Sequence, residues 1–278
     1  MDQVEDRHAT TGQCGGALAG NGRAYETLLT KRTTGVATYI LAALSITLGV
    51  GSLIVFTLFL YIGPFNLTGF GLDTTRTLLL DAGLCMAFFL QHSGMVRKTI
   101  RRRLSRYIRE PFIGAAYSVV SGILLLTLIV LWQESTFTLT SAEGFFLWSM
   151  RAIFFLAVAG QIWVILSLKS TDPFGTDALL HNREPTSPPI VLRGPYRWSR
   201  HPLYLTTLLM IWSYPDLTAD RLLLNILFTL WIIVSTILEE RDLVETYGDD
   251  YRTYQRTVPM LIPGFDPRRT RKRSASRF

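Results

Sequence analysis

Residues 37–62 read ATYILAALSITLGVGSLIVFTLFLYI, from Ala37 to Ile62 without one charged side chain. A helix rises about 1.5 Å per residue, so about 20 apolar residues cross the roughly 30 Å hydrocarbon core of a bilayer. This stretch is long enough to span and too apolar to face water. Three further runs share its character, at residues 77–95, 112–132 and 144–168, and a hairpin follows with arms at 202–214 and 221–238. The hairpin's first arm is short for a full crossing unless it is tilted or extended by residues 195–200, so the count is five or six spans. Composition agrees, with 49% hydrophobic and 18% charged residues in a chain of 278. The expected fold is all-α, a polytopic integral membrane helical bundle ending in a C-terminal helical hairpin.

Orientation follows from Lys and Arg. The loop after the second span holds Arg97, Lys98, Arg101, Arg102, Arg103, Arg106 and Arg109, whereas residues 133–143 hold two acids and no base. The first loop is therefore expected to be cytoplasmic, together with residues 169–200, both termini and the active site. Positive-inside topology and attraction to anionic lipid headgroups account for the net charge of +7, so nucleic acid is not an expected partner. Residues 1–35 are polar, lack an apolar segment behind a basic start, and read as a flexible cytoplasmic arm rather than a cleaved signal. Two cysteines, Cys14 and Cys85, do not support a disulfide framework. The domain reading is an arm at 1–35, a four-helix membrane bundle at 36–168, a catalytic region at 169–264 and a basic tail at 265–278. No metal site and no oligomeric state are read.

Polar motifs cluster after residue 169. The connection of about 30 residues carries Pro185, Pro188, Pro189 and Pro195, and is long enough to suspect a functional loop. It leads into Gly194-Pro-Tyr-Arg-Trp-Ser-Arg-His-Pro-Leu-Tyr204. With a helix starting near residues 199–202, Pro202 sits in its first turn and the i, i+3 and i+4 spacings gather Arg200, His201 and Tyr204. Glu239 and Glu240 close the last span on the same side. Tyr247, Tyr251 and Tyr254 have helical spacing and are expected to form a packing stripe, and Pro259 and Pro263 end any helix there. Asp81 and Arg151 lie near the far ends of their spans and are expected to form an ion pair; Asp81 and His92 are about 16 Å apart along one helix and do not touch.

The pattern G-P-Y-R-x-x-R-H-P-x-Y, then E-E-R-D-L, then Y-G-x-x-Y-x-x-Y-x-x-x-V-P-x-x-I-P resembles the C-terminal half of the isoprenylcysteine carboxyl methyltransferase-like family of membrane enzymes. Gln91-His92-Ser93-Gly94-Met95-Val96-Arg97 and Val258-Pro259-Met260-Leu261-Ile262-Pro263 are similar to signatures of its methanethiol S-methyltransferase branch. Two stretches depart from that pattern: Arg109-Glu110-Pro111-Phe112, and Ser170-Thr171-Asp172-Pro173-Phe174-Gly175. The half that would hold the cofactor is preserved better than the half that would hold the acceptor.

The resemblance implies S-adenosyl-L-methionine as methyl donor in a cytoplasmic pocket. Implied cofactor contacts are Tyr196, Arg197, His201, Pro202, Tyr204, Glu239, Glu240, Tyr247 and Tyr251, and the implied catalytic residues are His92, Arg200 and Glu240. The residue types suit the ligand: guanidinium and imidazole groups bind a carboxylate, Glu accepts from ribose hydroxyls or an amine, and tyrosine rings face a sulfonium. Transfer of methyl from sulfonium is a displacement that depends mainly on positioning. A thiol with a pKa of about 8.5 must also lose a proton, and His92 is the candidate base. The implied function is S-methylation of a small thiol, methanethiol to dimethyl sulfide. A lipophilic thiol or prenylcysteine carboxylate as acceptor, an NADPH-dependent sterol-type reductase and a non-catalytic membrane accessory protein stand as alternatives.

Overall fold

The computed structural model describes residues 35–168, 172–181 and 190–263. All but the last residue of the expected arm at 1–35, with Cys14, and the basic tail lie outside the described residues. Among the described residues, five helices are long and apolar enough to cross a membrane: α1 (Val36–Ile62), α2 (Thr74–Val96), α4 (Glu110–Leu131), α5 (Gly144–Ser167) and α8 (Ala219–Tyr247). Between and after them come short helices α3 (Lys98–Leu104), α6 (Thr176–His181), α7 (Pro202–Trp212) and α9 (Asp249–Thr257). The open question of five or six spans resolves physically. Eleven residues of α7 reach about 16 Å, half a bilayer, so the hairpin has one full arm and one half arm. The chain is an integral membrane protein.

Local signals set the helix ends. Asp73 accepts from the Arg76 amide and caps α2, and Pro111 sits in the first turn of α4, where its missing N–H costs nothing. The seam between α1 and α4 runs through Gly122. A Cβ there would lie 2.7 Å from the carbonyl oxygen of Leu48, so only glycine permits this approach. Deeper in the bundle, Phe59, Leu60, Phe89, Leu128 and Trp132 are fully buried, and Phe56, Phe88, Phe89, Trp231 and Phe228 join α1, α2 and α8 through ring contacts.

One end of the bundle is closed by capping across elements. The last carbonyls of α1 have no helical partners of their own. Arg221 Nη2 donates to Leu60 O at 2.6 Å, Arg151 Nη1 donates to Tyr61 O, and the Tyr214 hydroxyl donates to Ile62 O at 3.0 Å. Cations at a helix C-terminus also meet its negative end. This overturns the expected Asp81–Arg151 ion pair. Arg151 is drawn to α1 and lies 4.3 Å from the Tyr61 ring centroid, while buried Asp81 accepts from the Gln133 amide at 3.1 Å. Buried Asp220 likewise accepts from Trp132 Nε1 and from the Ser135 amide, both at 3.0 Å. Strands β1 (Thr138–Ser141) and β2 (Asp216–Thr218) pair antiparallel beside them.

The other end is basic. Arg97 pairs with Asp242 at 2.7 Å, Lys98 with Glu245 at 3.2 Å and Arg101 with Glu110 at 3.1 Å, tying the α2–α3 corner to α8 and α4. The described part of the long connection docks against α1 and α4. Asp172 caps α6 through the amides of Thr176, Asp177 and Ala178. The Phe174 ring occupies the space a Cβ on Gly49 would fill. The last span also runs further than expected: α8 continues two turns beyond Glu239 and Glu240, to Tyr247.

Gly122→Val should lower the melting temperature of detergent-purified protein by an amount equivalent to about 1–3 kcal/mol, the usual cost of overpacking a close contact. Gly83→Ala, at a position where a Cβ meets nothing within 4 Å, should leave it unchanged or raise it.

Candidate functional site

The glycine-proline segment is built by a turn that requires glycine. Gly194 has φ of 58°, and a Cβ there would lie 2.7 Å from Ser167 Oγ on α5. A 3-10 turn over Gly194–Arg197 follows, and then the backbone extends. The amides of Arg200 and His201 donate to the carbonyls of Pro259 and Met260 at 3.0 and 3.1 Å. Arg200 and His201 therefore precede α7 instead of lying in its first turn, because the Val258–Pro263 segment captures their backbone. Buried Pro202 opens the helix, and Tyr204 stacks on His201 with ring centroids 5.7 Å apart. Arg200 converges on the same carboxylate as His201.

That carboxylate belongs to Glu240. Arg200 Nε and Nη2 donate to the two Glu240 oxygens, each at 2.8 Å, and both side chains are nine-tenths buried. His201 Nε2 and the Tyr251 hydroxyl also reach Oε1, at 2.7 and 2.8 Å, and Gln255 Nε2 donates to Oε2. A carboxylate offers about four lone-pair sites, so five contacts saturate it. The remaining Arg200 nitrogen, Nη1, donates to the carbonyls of Gln255 and Val258. Of the implied catalytic residues, Arg200 and Glu240 thus spend their polar atoms on each other and on α9. Burial and the bond to Glu240 raise the Tyr251 phenol above its ordinary range. Tyr247 packs with Tyr251, Tyr254 and Val258, which matches the packing stripe.

The neighbouring residues keep free capacity. Glu239, one position along α8, has a 44% exposed side chain; it accepts from the Tyr204 hydroxyl at 2.8 Å and lies 3.8 Å from His201 Nδ1. Arg197 is exposed, with no ion pair to a described residue. Burial and the charge of Glu239 push the Tyr196 phenol up to about 12. The Tyr204–Glu239 bond thus joins α7 to α8 beside the Glu240 cluster.

His92 is partly buried near the end of α2 and contacts α4. Its ring stacks on Phe88 at 5.1 Å, and the Tyr117 hydroxyl lies 3.1 Å from both of its nitrogens. Ser121 Oγ is 3.4 Å from Nδ1 and donates to Gln91 Oε1. Sequence reasoning missed Tyr117, Ser121 and Gln255. Polar residues at i and i+4 in an otherwise apolar span point inward, which was the available signal for Tyr117 and Ser121. Gln255 follows Tyr251 by one turn of α9 and could have been found the same way.

The chain is similar to known proteins. Residues 145–250, from α5 to the start of α9, match the phospholipid methyltransferase family. A methanethiol S-methyltransferase of Pseudomonas sp. (strain GM41(2012)) is 34% identical over 202 residues, covering 70% of this chain and 77% of the relative. The chain belongs to the methanethiol S-methyltransferase family. Relatives of the same description from Crocosphaera subtropica and Pseudomonas deceptionensis are each 32% identical; they cover 67% and 70% of this chain and 74% and 76% of their own lengths. No solved structure matches the chain. As a member of the methanethiol S-methyltransferase family, this membrane protein is a methyltransferase, and its candidate site combines a rigid ionic core with an open polar face.

Breaking a buried ion pair by removing one partner typically costs about 3–5 kcal/mol, more than replacing both. Arg200→Met and Glu240→Leu should each lower thermal stability in detergent strongly, and the double variant should be more stable than the sum of the two losses predicts. Glu239→Gln, on the half-exposed neighbour, should leave the melting temperature nearly unchanged.

Proposed function

We propose that the protein uses S-adenosylmethionine to methylate a small thiol, converting methanethiol to dimethyl sulfide. The observation that carries this reading is the half-exposed Glu239, bonded to Tyr204 beside the saturated Arg200–Glu240 pair. Arg197 offers an unpaired cation for the donor's carboxylate, and Glu239 an acceptor for ribose hydroxyls or the amino group. Tyr196 and Tyr204 present rings and hydroxyls toward the adenine and the sulfonium. His201, Glu240 and Tyr251 support these groups from behind by fixing α7, α8 and α9 together. When bound, S-adenosylmethionine supplies an electrophilic methyl group on sulfur.

The chain's own work is then positioning and proton removal. His92 is the base that accepts the thiol proton, in a site where the apolar wall excludes water. Beneath it, Phe88 stacks on the imidazole and continues into Phe228 and Phe56, at centroid separations of 6.4 and 5.4 Å. This aromatic floor favours a small thiol over a prenylcysteine, which needs a long apolar channel. The arginines of the α2–α3 corner and of α3 support a cytoplasmic position for the site, the start of α1 and α9, and attract anionic headgroups.

Detergent-purified protein should bind S-adenosylmethionine saturably and form dimethyl sulfide from methanethiol. Arg197→Ala and Glu239→Gln should each weaken donor binding about tenfold, the loss of one charge-assisted contact. Phe88→Ala should shift acceptor preference toward longer thiols. Binding of NADPH in place of S-adenosylmethionine, or of neither, by folded protein would sink the reading.

A further inference from the structure

A base that takes a proton from a thiol needs its lone pair on the nitrogen that meets the thiol, and a neutral imidazole keeps its single proton on one nitrogen or the other. For His92 the choice is decided by what each edge of the ring meets. Phe88 stacks on the ring with centroids 5.1 Å apart and offers neither donor nor acceptor to the nitrogens. The Tyr117 hydroxyl does not discriminate, because it lies 3.1 Å from Nδ1 and 3.1 Å from Nε2 and can donate to whichever is bare. Ser121 supplies the asymmetry: its Oγ lies 3.4 Å from Nδ1.

The serine's own proton is already placed. Ser121 is buried and donates to Gln91 Oε1 at 3.2 Å. A hydroxyl has one proton and two lone pairs, so toward Nδ1 it can only accept, and the hydrogen must come from Nδ1. The direction of the Ser121 bond depends in turn on which way the Gln91 amide faces. Gln91 Nε2 donates to Met95 Sδ at 3.2 Å, one turn along α2. Turning the amide over would set its oxygen against a thioether sulfur, which has no hydrogen to give, and would free the serine's proton for Nδ1. Met95 therefore orients Gln91, Gln91 takes the Ser121 proton, and Ser121 takes the Nδ1 hydrogen. This gives Gln91 and Met95, which flank His92 in sequence, one shared task.

We infer that Gln91 and Ser121 are positioning residues that hold the proton of neutral His92 on Nδ1 and so present Nε2 as the nitrogen that takes the acceptor's proton. The catalytic part of this assignment rests on the thiol methyltransferase reading; the tautomer does not. On that reading the S–H bond breaks with its electron pair left on sulfur for the new carbon–sulfur bond, and the proton forms an N–H bond at Nε2. The imidazolium keeps its Nδ1 hydrogen on Ser121, gives the Nε2 proton to water once the product has left, and returns to the same tautomer. Reversing the chain would turn the lone pair toward a serine on α4 instead of toward a substrate.

The nitrogen-15 shifts of the His92 ring in detergent-purified protein, without donor or acceptor, read the tautomer directly, and His92→Gln identifies the signal. Wild-type His92 should show a protonated Nδ1 and a bare Nε2. Ser121→Ala removes the hydroxyl that accepts, and Gln91→Leu frees the Ser121 proton to turn toward Nδ1; both should move the ring proton toward Nε2. Ser121→Thr, which keeps a hydroxyl, should preserve the wild-type pattern. Gln91→Leu should also lower kcat for methanethiol about 100-fold, the scale of general-base assistance, with affinity for S-adenosylmethionine unchanged. A wild-type ring protonated on Nε2, or on both nitrogens, overturns the inference whether or not the variants fold. So does an unchanged ring in folded Ser121→Ala and Gln91→Leu, or a changed ring with undiminished turnover. A wild-type protein with its proton on Nδ1 that binds S-adenosylmethionine and methylates no thiol leaves the tautomer standing and removes the function reading, which is a separate result.

Discussion

The bidentate pair between Arg200 and Glu240 is the contact on which the catalytic end depends. Two charges nine-tenths buried are costly to desolvate and are retained only when every donor and acceptor is matched. Here the match is complete: Glu240 receives five hydrogen bonds, from Arg200, His201, Tyr251 and Gln255. Those donors belong to the segment before α7, to α7's first cap and to α9. A single carboxylate on α8 thus fixes three pieces of chain that have little apolar area of their own. The backbone bonds from Arg200 and His201 to Pro259 and Met260 hold the same pieces a second time.

The bundle's two ends solve different problems with the same residue types. At the far end, Arg221, Arg151 and Tyr214 are spent on orphan carbonyls of α1, and Asp81 and Asp220 on amides just past α4. Every one of these contacts joins a side chain to backbone, so the end is a lid of satisfied peptide groups, while Asp81 Oδ2 and Arg221 Nε and Nη1 stay buried without a hydrogen-bond partner among the described residues. At the basic end the ionic contacts join side chain to side chain, which leaves adjacent positions such as Glu239 and Arg197 facing open space. In lipid an unmatched peptide group costs several kcal/mol, which is why the far end is closed this way, while the basic end carries exposed or half-exposed side chains such as Arg197 and Glu239.

Much of this was legible in the residues. Long apolar runs declared five or six spans, because hydrocarbon demands both length and apolarity. The R-H-P and E-E motifs declared a meeting of two distant segments. What they could not declare was the division of labour between Glu239 and Glu240, since side chains one residue apart on a helix point about 100° from each other and nothing in the pair says which faces inward. The supposed Asp81–Arg151 pair failed for a related reason. Position along the spans brought both near one end, but the carbonyls of a helix terminus compete for arginine as strongly as a carboxylate does, and a sequence does not display them. Tyr117 was hidden because a tyrosine in an apolar span reads equally as packing.

The contrast between the two sides also bears on how acceptor choice can change without loss of donor binding. Glu239 is next to the saturated hub, so its backbone is as fixed as that of Glu240, and preorganisation of this kind is what positional catalysis needs. The acceptor side, His92 with Tyr117, Phe88 and Ser121, is held by ring stacking and single hydroxyl contacts between α2 and α4. Ring contacts of this type are worth about 0.5–1.5 kcal/mol each beyond burial, far less than a buried ion pair costs when broken. Substitutions on α2 or α4 can therefore reshape the acceptor side within the fold's tolerance, whereas the donor side fails as a unit. Among the described residues of the stretches that depart from the family pattern, Phe112 packs with Ala42, Ala115 and Leu179, and Phe174 and Gly175 lie against Gly49 and Gly114.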